Sequence, residues 1–251
     1  MYGAIVGDLA GSIYEYEQIK EVKPVIMNNL IEENSFYSDD TILTIAIKDA
    51  IIHNGNYEYY LKKYIREYEN YKPLFKPYFK SAFSPNIINW MKGSKEGNSK
   101  GNGALMRISP IINMYSNERD IIRESRLATI PSHNSEEAIY SARQLSLVMY
   151  MLKKGIPIDV VFSLLDINVS YKPFKKFNTT CYETLNNCLY IASISSSFED
   201  AISKTLLMGG DTDTNAAIVG SIAECMYGID TGIKKQVLNK IPNKFVKILK
   251  M

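Results

Sequence analysis

Two short acidic stretches, Ser38-Asp39-Asp40-Thr41 and Asp211-Thr212-Asp213-Thr214, stand about 170 residues apart in a chain of 251. Each follows turn-forming residues and runs straight into an apolar helical stretch. Each therefore sets two carboxylates and at least one hydroxyl at a helix N-terminus. A single Asp there is an ordinary cap for free backbone N–H groups. Two per stretch exceed what a cap uses, and four drawn together would repel unless cations lay between them. All the donors on offer are hard oxygens, which suit Mg²⁺ or Mn²⁺ and not zinc. The chain must then fold so that its two ends meet around a divalent-metal site, read here as binuclear.

Helical periodicity dominates the rest of the sequence and strand alternation is scarce. Residues 3–14 carry Gly3, Gly7 and Gly11 at four-residue spacing, the mark of a helix packed backbone-close against a neighbour. Asp8 and Glu15 share a face of that helix if it reaches so far. Residues 41–52 predict a largely buried helix stopped at His53-Asn54-Gly55. Over 57–71, apolar and aromatic residues recur at i, i+3 and i+4 with Lys, Arg and Glu between them, which predicts an amphipathic helix. Pro73, Pro77 and Pro85 then punctuate the chain. Residues 92–103 are polar and rich in Gly, Asn and Lys, an ordered loop before the apolar stretch 104–112. Further helices are expected at 118–129, 135–154, 157–166, 179–194, 198–207, 215–227 and 232–240, with an extended connection at 166–178. No repeat or linker divides the chain, so residues 1–251 are expected to form one all-α domain.

Composition narrows the partners. Hydrophobic residues at 46% and charged residues at 22% are those of an ordinary globular protein, and a net charge of +2 gives no footing for nucleic acid or an anionic membrane. Cys181, Cys188 and Cys225 form no CxxC pair, which argues against a disulfide framework or zinc site, and Cys181 and Cys188, seven apart, read as buried free thiols. No signal peptide and no membrane span is legible, and a reducing, cytoplasmic setting is expected.

Other residues could join the acidic stretches. Glu15 is an acid whose standing rests on the packed helix before it. Gly101-Asn102-Gly103, after Lys100, could cradle an anion, because glycines let backbone N–H groups approach phosphate oxygens, although Asn-Gly is first a turn signal. Arg107 is read either as a phosphate binder or as a brace for the acids. His133 is one of two histidines; a lone histidine more often makes structural hydrogen bonds than catalyses. His53 reads as a helix stop. No nucleophile elbow, Walker loop or HExxH motif is present. Taken alone, these residues point to a Mg²⁺- or Mn²⁺-dependent hydrolase of a small ligand bearing hydroxyls or phosphates.

In this order along the chain, further blocks accompany the acidic stretches: Gly3-Ala4-Ile5-Val6-Gly7-Asp8 through Tyr14-Glu15, Gly101-Asn102-Gly103-Ala104-Leu105-Met106-Arg107 with Pro110, Ser132-His133 with Glu137-Ala138, and Gly209-Gly210 before Asp211. With them the chain resembles the ADP-ribosylglycohydrolase family, in its short form. The resemblance implies a compact orthogonal helical bundle with two Mg²⁺ or Mn²⁺ ions at the mouth of a cleft. By position it implies Ser38, Asp39, Asp40, Asp211, Asp213 and Thr214 as metal ligands, and Glu15 and Asp40 as catalytic groups. It further implies that Gly101, Asn102, Gly103, Met106 and His133 bind substrate.

The family's reaction releases ADP-ribose by hydrolysis at C1″ of the distal ribose. The expected partners are thus an ADP-ribosylated protein or small molecule, with nucleic acid only where it carries that modification, and the chain is expected to act as a monomer. Four departures stand out: Ser38 in place of Thr, Pro131-Ser132 before His133, Asn215 where an apolar residue is common, and Glu224-Cys225 in place of small residues. A non-catalytic ADP-ribose-binding module, a Mg²⁺-dependent nucleotide phosphohydrolase and a crystallin-like scaffold are the rival readings.

Overall fold

The spaced glycines decide how the first helix packs. α1 (Tyr2–Gly11) lies along α11 (Thr212–Tyr227), and the two backbones touch at each glycine. A Cβ at Gly3 would stand 2.1 Å from the Gly220 carbonyl oxygen, and one at Gly7 would stand 1.9 Å from that of Ala216. At Gly11 it would meet the Thr212 carbonyl oxygen at 2.4 Å. No side chain fits there. Thr212 Oγ1 donates to the Gly11 carbonyl at 2.9 Å and pins the C-terminal end of α1 to the start of α11. The unusual Glu224 also has its use, accepting from the Gly3 N–H at 2.8 Å near the start of α1.

The computed structural model describes residues 1–15, 29–73, 81–172, 174 and 177–251. Between α1 and α11 the described helices are α2 (Asp39–Ile52), α3 (Tyr57–Tyr68), α4 (Pro85–Met91), α5 (Ser109–Met114) and α6 (Glu118–Thr129). α7 (Glu136–Lys153), α8 (Ile158–Leu164), α9 (Cys181–Ser193) and α10 (Phe198–Met208) follow. α12 (Thr231–Lys240) and α13 (Asn243–Lys250) close the chain. Among the described residues there is no β-sheet, only isolated bridges at Asn98–His133 and Gly101–Thr180. The fold is all-α, as expected.

Most helices begin where a short polar side chain can serve free N–H groups. Ser38, Asn56, Asn117, Ser135 and Ser197 each accept a backbone N–H from the first turn of α2, α3, α6, α7 and α10. α2 and α11 run at the centre: α2 is buried from Asp40 to Ala50 and α11 from Thr212 to Ala223. Both polar N-termini therefore lie inside the protein. Among the described residues no helix is long and apolar enough to cross a membrane.

The structure corrects several expectations. The first helix ends at Gly11 and not at residue 14, so Glu15 follows in a turn and does not share a helix face with Asp8. The amphipathic helix stops at Tyr68, short of Tyr71. α4, α5 and α13 were not expected, because six to eight residues are too few to show a period. Loop 92–103 is ordered as foreseen, tied by the bridges at Asn98 and Gly101. Cys181 and Cys188 are buried free thiols. Pro77, and residues 173, 175 and 176 of the extended connection, lie outside the described residues.

Candidate metal centre and cleft

Burial of two helix N-termini brings their carboxylates face to face. Carboxylate oxygens of Asp8, Asp40 and Asp213 lie within 4.8 Å of one another, and so do those of Glu15, Asp211 and Asp213. Asp213 belongs to both groups.

Asp40 is held by hydroxyls from both ends of the chain. Its Oδ2 accepts from Ser38 Oγ and from Thr214 Oγ1, each at 3.2 Å, while its buried Oδ1 has no partner among the described groups. Asp8 is fully buried in α1. Its Oδ2 accepts from the Ser38 and Thr41 N–H groups at 3.0 Å and from the Thr41 hydroxyl, so α1 anchors the first turn of α2. Asp8 Oδ1 is likewise without a described partner.

Asp211 is set by amides. Asn102 Nδ2 donates to its Oδ2 at 2.8 Å, and its own N–H donates to Asn178 Oδ1 at 2.8 Å. Asn178 also bonds Asn215 and Thr184, and Asn215 donates to the Gly209 carbonyl. Gly209 and Gly210 both have φ of +74°, and a Cβ on Gly210 would meet Asn178 Oδ1 at 2.2 Å. Glycine is required there by backbone and contact alike. Asn215, unusual by position, thus completes a buried amide network behind Asp211.

The electrostatics follow from this enclosure. Burial, and after it the charge of Asp213, pushes the Asp8 carboxyl up to about 7 and raises Asp39, Asp40 and Asp211 well above the ordinary range. Such a cluster is costly when ionised and bare. The unpartnered Asp8 and Asp40 oxygens, amid oxygen donors alone, fit a hard divalent cation.

The acids line a cleft of about 900 Å³. Every site residue expected from the sequence lines it except Ser38, which stands behind Asp40. Gly101, Asn102, Gly103, Met106 and His133 line it as well, together with residues 81–90, Lys95 and Glu96. Arg107 is wholly buried, and burial lowers its guanidinium to about 10. Its Nη2 donates to Ser132 Oγ at 2.7 Å and to the Ala128 carbonyl at 3.4 Å. Burial, then the nearby Arg107 charge, holds the His133 imidazole well below its usual range.

Sequence reasoning left Asp8 and Asn178 out of the site. Asp8 carried a signal, an acid interrupting an apolar run. Asn178 carried none, since its partner Asp211 is 33 residues away.

A family profile described as ADP-ribosylglycohydrolase matches residues 1–250. The chain is 26% identical to the putative ADP-ribosyl glycohydrolase L543 of Acanthamoeba polyphaga mimivirus, over 90% of this chain and 84% of that one. It is 20% identical to the ADP-ribosylarginine hydrolase Tri1 of Pseudomonas putida (strain GB-1), over 96% and 72%. With the ADP-ribosylhydrolase ARH3 of Mus musculus it shares 21% identity, over 91% and 82%. A solved structure titled an ADP-ribosylglycohydrolase-related protein complex superposes with a TM-score of 0.71 at 19% identity, covering 98% of this chain and 89% of that one. That last likeness speaks for the fold.

Proposed function

The chain belongs to the ADP-ribosylglycohydrolase family, and on that premise we propose that it is a metal-dependent ADP-ribosyl hydrolase. It cleaves the bond at C1″ of the distal ribose in an ADP-ribosylated protein or small molecule and releases ADP-ribose. The observation that carries this reading is the pair of three-carboxylate groups sharing Asp213 beside a cleft large enough for a dinucleotide-sized ligand.

Ser38, Asp39, Asp40, Asp211, Asp213 and Thr214 would hold two Mg²⁺ or Mn²⁺ ions, with Asp8 fixing the turn that carries the first three. Bound there, the ions would supply positive charge for ribose hydroxyls and would lower the pKa of water. Gly101–Gly103, Met106 and His133 orient the remainder of the ligand along the cleft. Cleavage passes through an oxocarbenium-like transition state. As the water oxygen bonds to C1″, Glu15 takes its proton. The C1″–leaving-group bond breaks, and the proton passes to the departing nitrogen or oxygen. Asp40, its Oδ2 tied by two hydroxyls, keeps its charge directed through Oδ1.

The test is release of free ADP-ribose from arginine-, serine- and acetyl-linked substrates, with Mg²⁺, with Mn²⁺ and with EDTA, beside Asp213→Asn. Metal-dependent release from one linkage, abolished in Asp213→Asn, is expected and names the substrate class. Release of AMP or phosphate would instead make the protein a phosphohydrolase. ADP-ribose binding with no turnover of any substrate would make it a binding module.

A further inference from the structure

The Gly101–Gly103 turn faces His133, and what that imidazole can do depends on which ring nitrogen carries its proton. Arg107 donates to the Ser132 hydroxyl at 2.7 Å. A guanidinium only donates, so the hydroxyl oxygen accepts that bond and still has a proton to give. Ser132 is itself buried, and its Oγ lies 2.8 Å from His133 Nδ1. Among the described residues, no other group bonds this hydroxyl. Were Nδ1 to carry the proton, guanidinium and imidazole would both donate to Ser132. The serine proton would then have no acceptor among the described residues, and a buried donor left unpaired is costly. If Nδ1 accepts instead, the serine proton has its acceptor and Nε2 carries the imidazole proton.

We propose that Arg107 and Ser132 hold His133 as the neutral Nε2–H tautomer, making it a hydrogen-bond donor to a phosphoryl oxygen seated on the Gly101–Gly103 turn. Nε2 is bonded by no described group, and His133 lines the cleft. A Cβ on Gly101 or on Gly103 would stand 3.5 Å from Nε2, so a side chain at either position would cover this N–H. Their absence leaves the nitrogen open toward the ligand. The buried Arg107 charge behind the ring favours an anionic acceptor and opposes a second proton on the imidazole. Arg107 and Ser132 are thus positioning residues acting through His133, which donates one hydrogen bond and transfers no proton. Ser132 supplies the hydroxyl on which the arrangement turns. The identity of the ligand, though not the tautomer, rests on the proposed hydrolase function.

The tautomer is read from ¹⁵N–¹H long-range correlation spectra of the labelled full chain. With only two histidines, a His53→Gln variant leaves His133 as the sole ring. The Nε2–H pattern is expected in the parent, with ADP-ribose binding measured by calorimetry. In Ser132→Ala the pattern should shift toward Nδ1–H or a mixture, and ADP-ribose affinity should fall about three- to tenfold, the effect of one lost or misdirected hydrogen bond. Ser132→Thr, which keeps the hydroxyl, should restore both. An Nδ1–H pattern in the parent, or an unchanged pattern in Ser132→Ala, overturns the proposal. An Nε2–H parent that loses it in Ser132→Ala, yet binds no ADP-ribose, would uphold the tautomer and sink the functional reading instead.

Discussion

Glu15 and Asn178 show two different ways in which a residue can matter at this site. Glu15 lies beyond the end of α1, in a turn whose position follows from the packing of that helix, and its carboxylate reaches Asp211 and Asp213. In the proton-transfer role proposed for it, it should be worth about 10²–10⁴-fold in rate. Glu15→Gln is therefore expected to lower kcat by that factor while calorimetry still finds two divalent ions bound; normal turnover would remove Glu15 from the reaction. Asn178 works through others. Its Oδ1 receives the Asp211 N–H and its Nδ2 bonds Thr184 and Asn215, so it sets the backbone from which the Asp211 carboxylate projects. Groups that orient ligand residues typically account for about 10–100-fold in metal affinity. Asn178→Ala should weaken Mn²⁺ binding by about that much, and unaltered affinity would reduce the amide network to a packing role.

At the scale of the element, the decisive object is the α1–α11 pair. Helices ordinarily approach to about 8–10 Å between axes, whereas here a Cβ at Gly7 would lie 1.9 Å from a carbonyl oxygen of the facing helix. The contact brings Asp8 beside Asp213, and through Asp8 it positions the N-terminus of α2. Gly7→Ala should force the helices apart. Overpacking of this kind costs about 1–3 kcal/mol, or about 2–12 °C in Tm for a chain of this size. Because the displacement falls on the carboxylates, metal affinity should drop in the same variant. A thermal scan with and without Mn²⁺ checks both, and an unshifted Tm would mean that the approach is not tight in solution.

For the whole molecule, the acidic cluster predicts how stability varies with pH. The Asp8 carboxyl sits at about 7 in the folded protein, and Asp39, Asp40 and Asp211 are also raised, against about 3.9 in an unfolded chain. Where folded values exceed unfolded ones, the native state binds the extra proton, and stability falls as pH rises through the folded pKa. His133 acts in the opposite sense. Its lowered folded value costs stability as pH falls below about 6.5, where the unfolded ring takes a proton. With Asp8 at about 7 and the His133 cost setting in only below about 6.5, metal-free protein should gain Tm as pH is lowered from about 8 to about 6.5. Saturating Mg²⁺ or Mn²⁺ should reverse the slope, since the ions need the deprotonated acids. Fluorimetric melting in EDTA and in metal across that range checks this, and parallel curves would show that the cluster does not hold the ions.

Much of this protein follows from local sequence, because caps, periodicity and glycine spacing act over a few residues. The all-α class, α6 over 118–129 and the close helix contact at Gly3, Gly7 and Gly11 were legible in that way. So was the pairing of two acidic N-termini, since four carboxylates in such positions exceed any capping need. Short helices such as α4 and α13 were not, as they form on tertiary support that no period announces. Nor could sequence place Glu15, which depends on where α1 gives out, or select Asn178, whose partners come from elsewhere in the chain. Only the folded chain decided that Asp213 joins both oxygen groups, that Asn102 serves Asp211, and that Arg107 lies behind His133 by way of Ser132. Those are contacts between residues distant along the chain. They depend on how helices dock, and a side chain's role in them is set by which neighbours share its buried space.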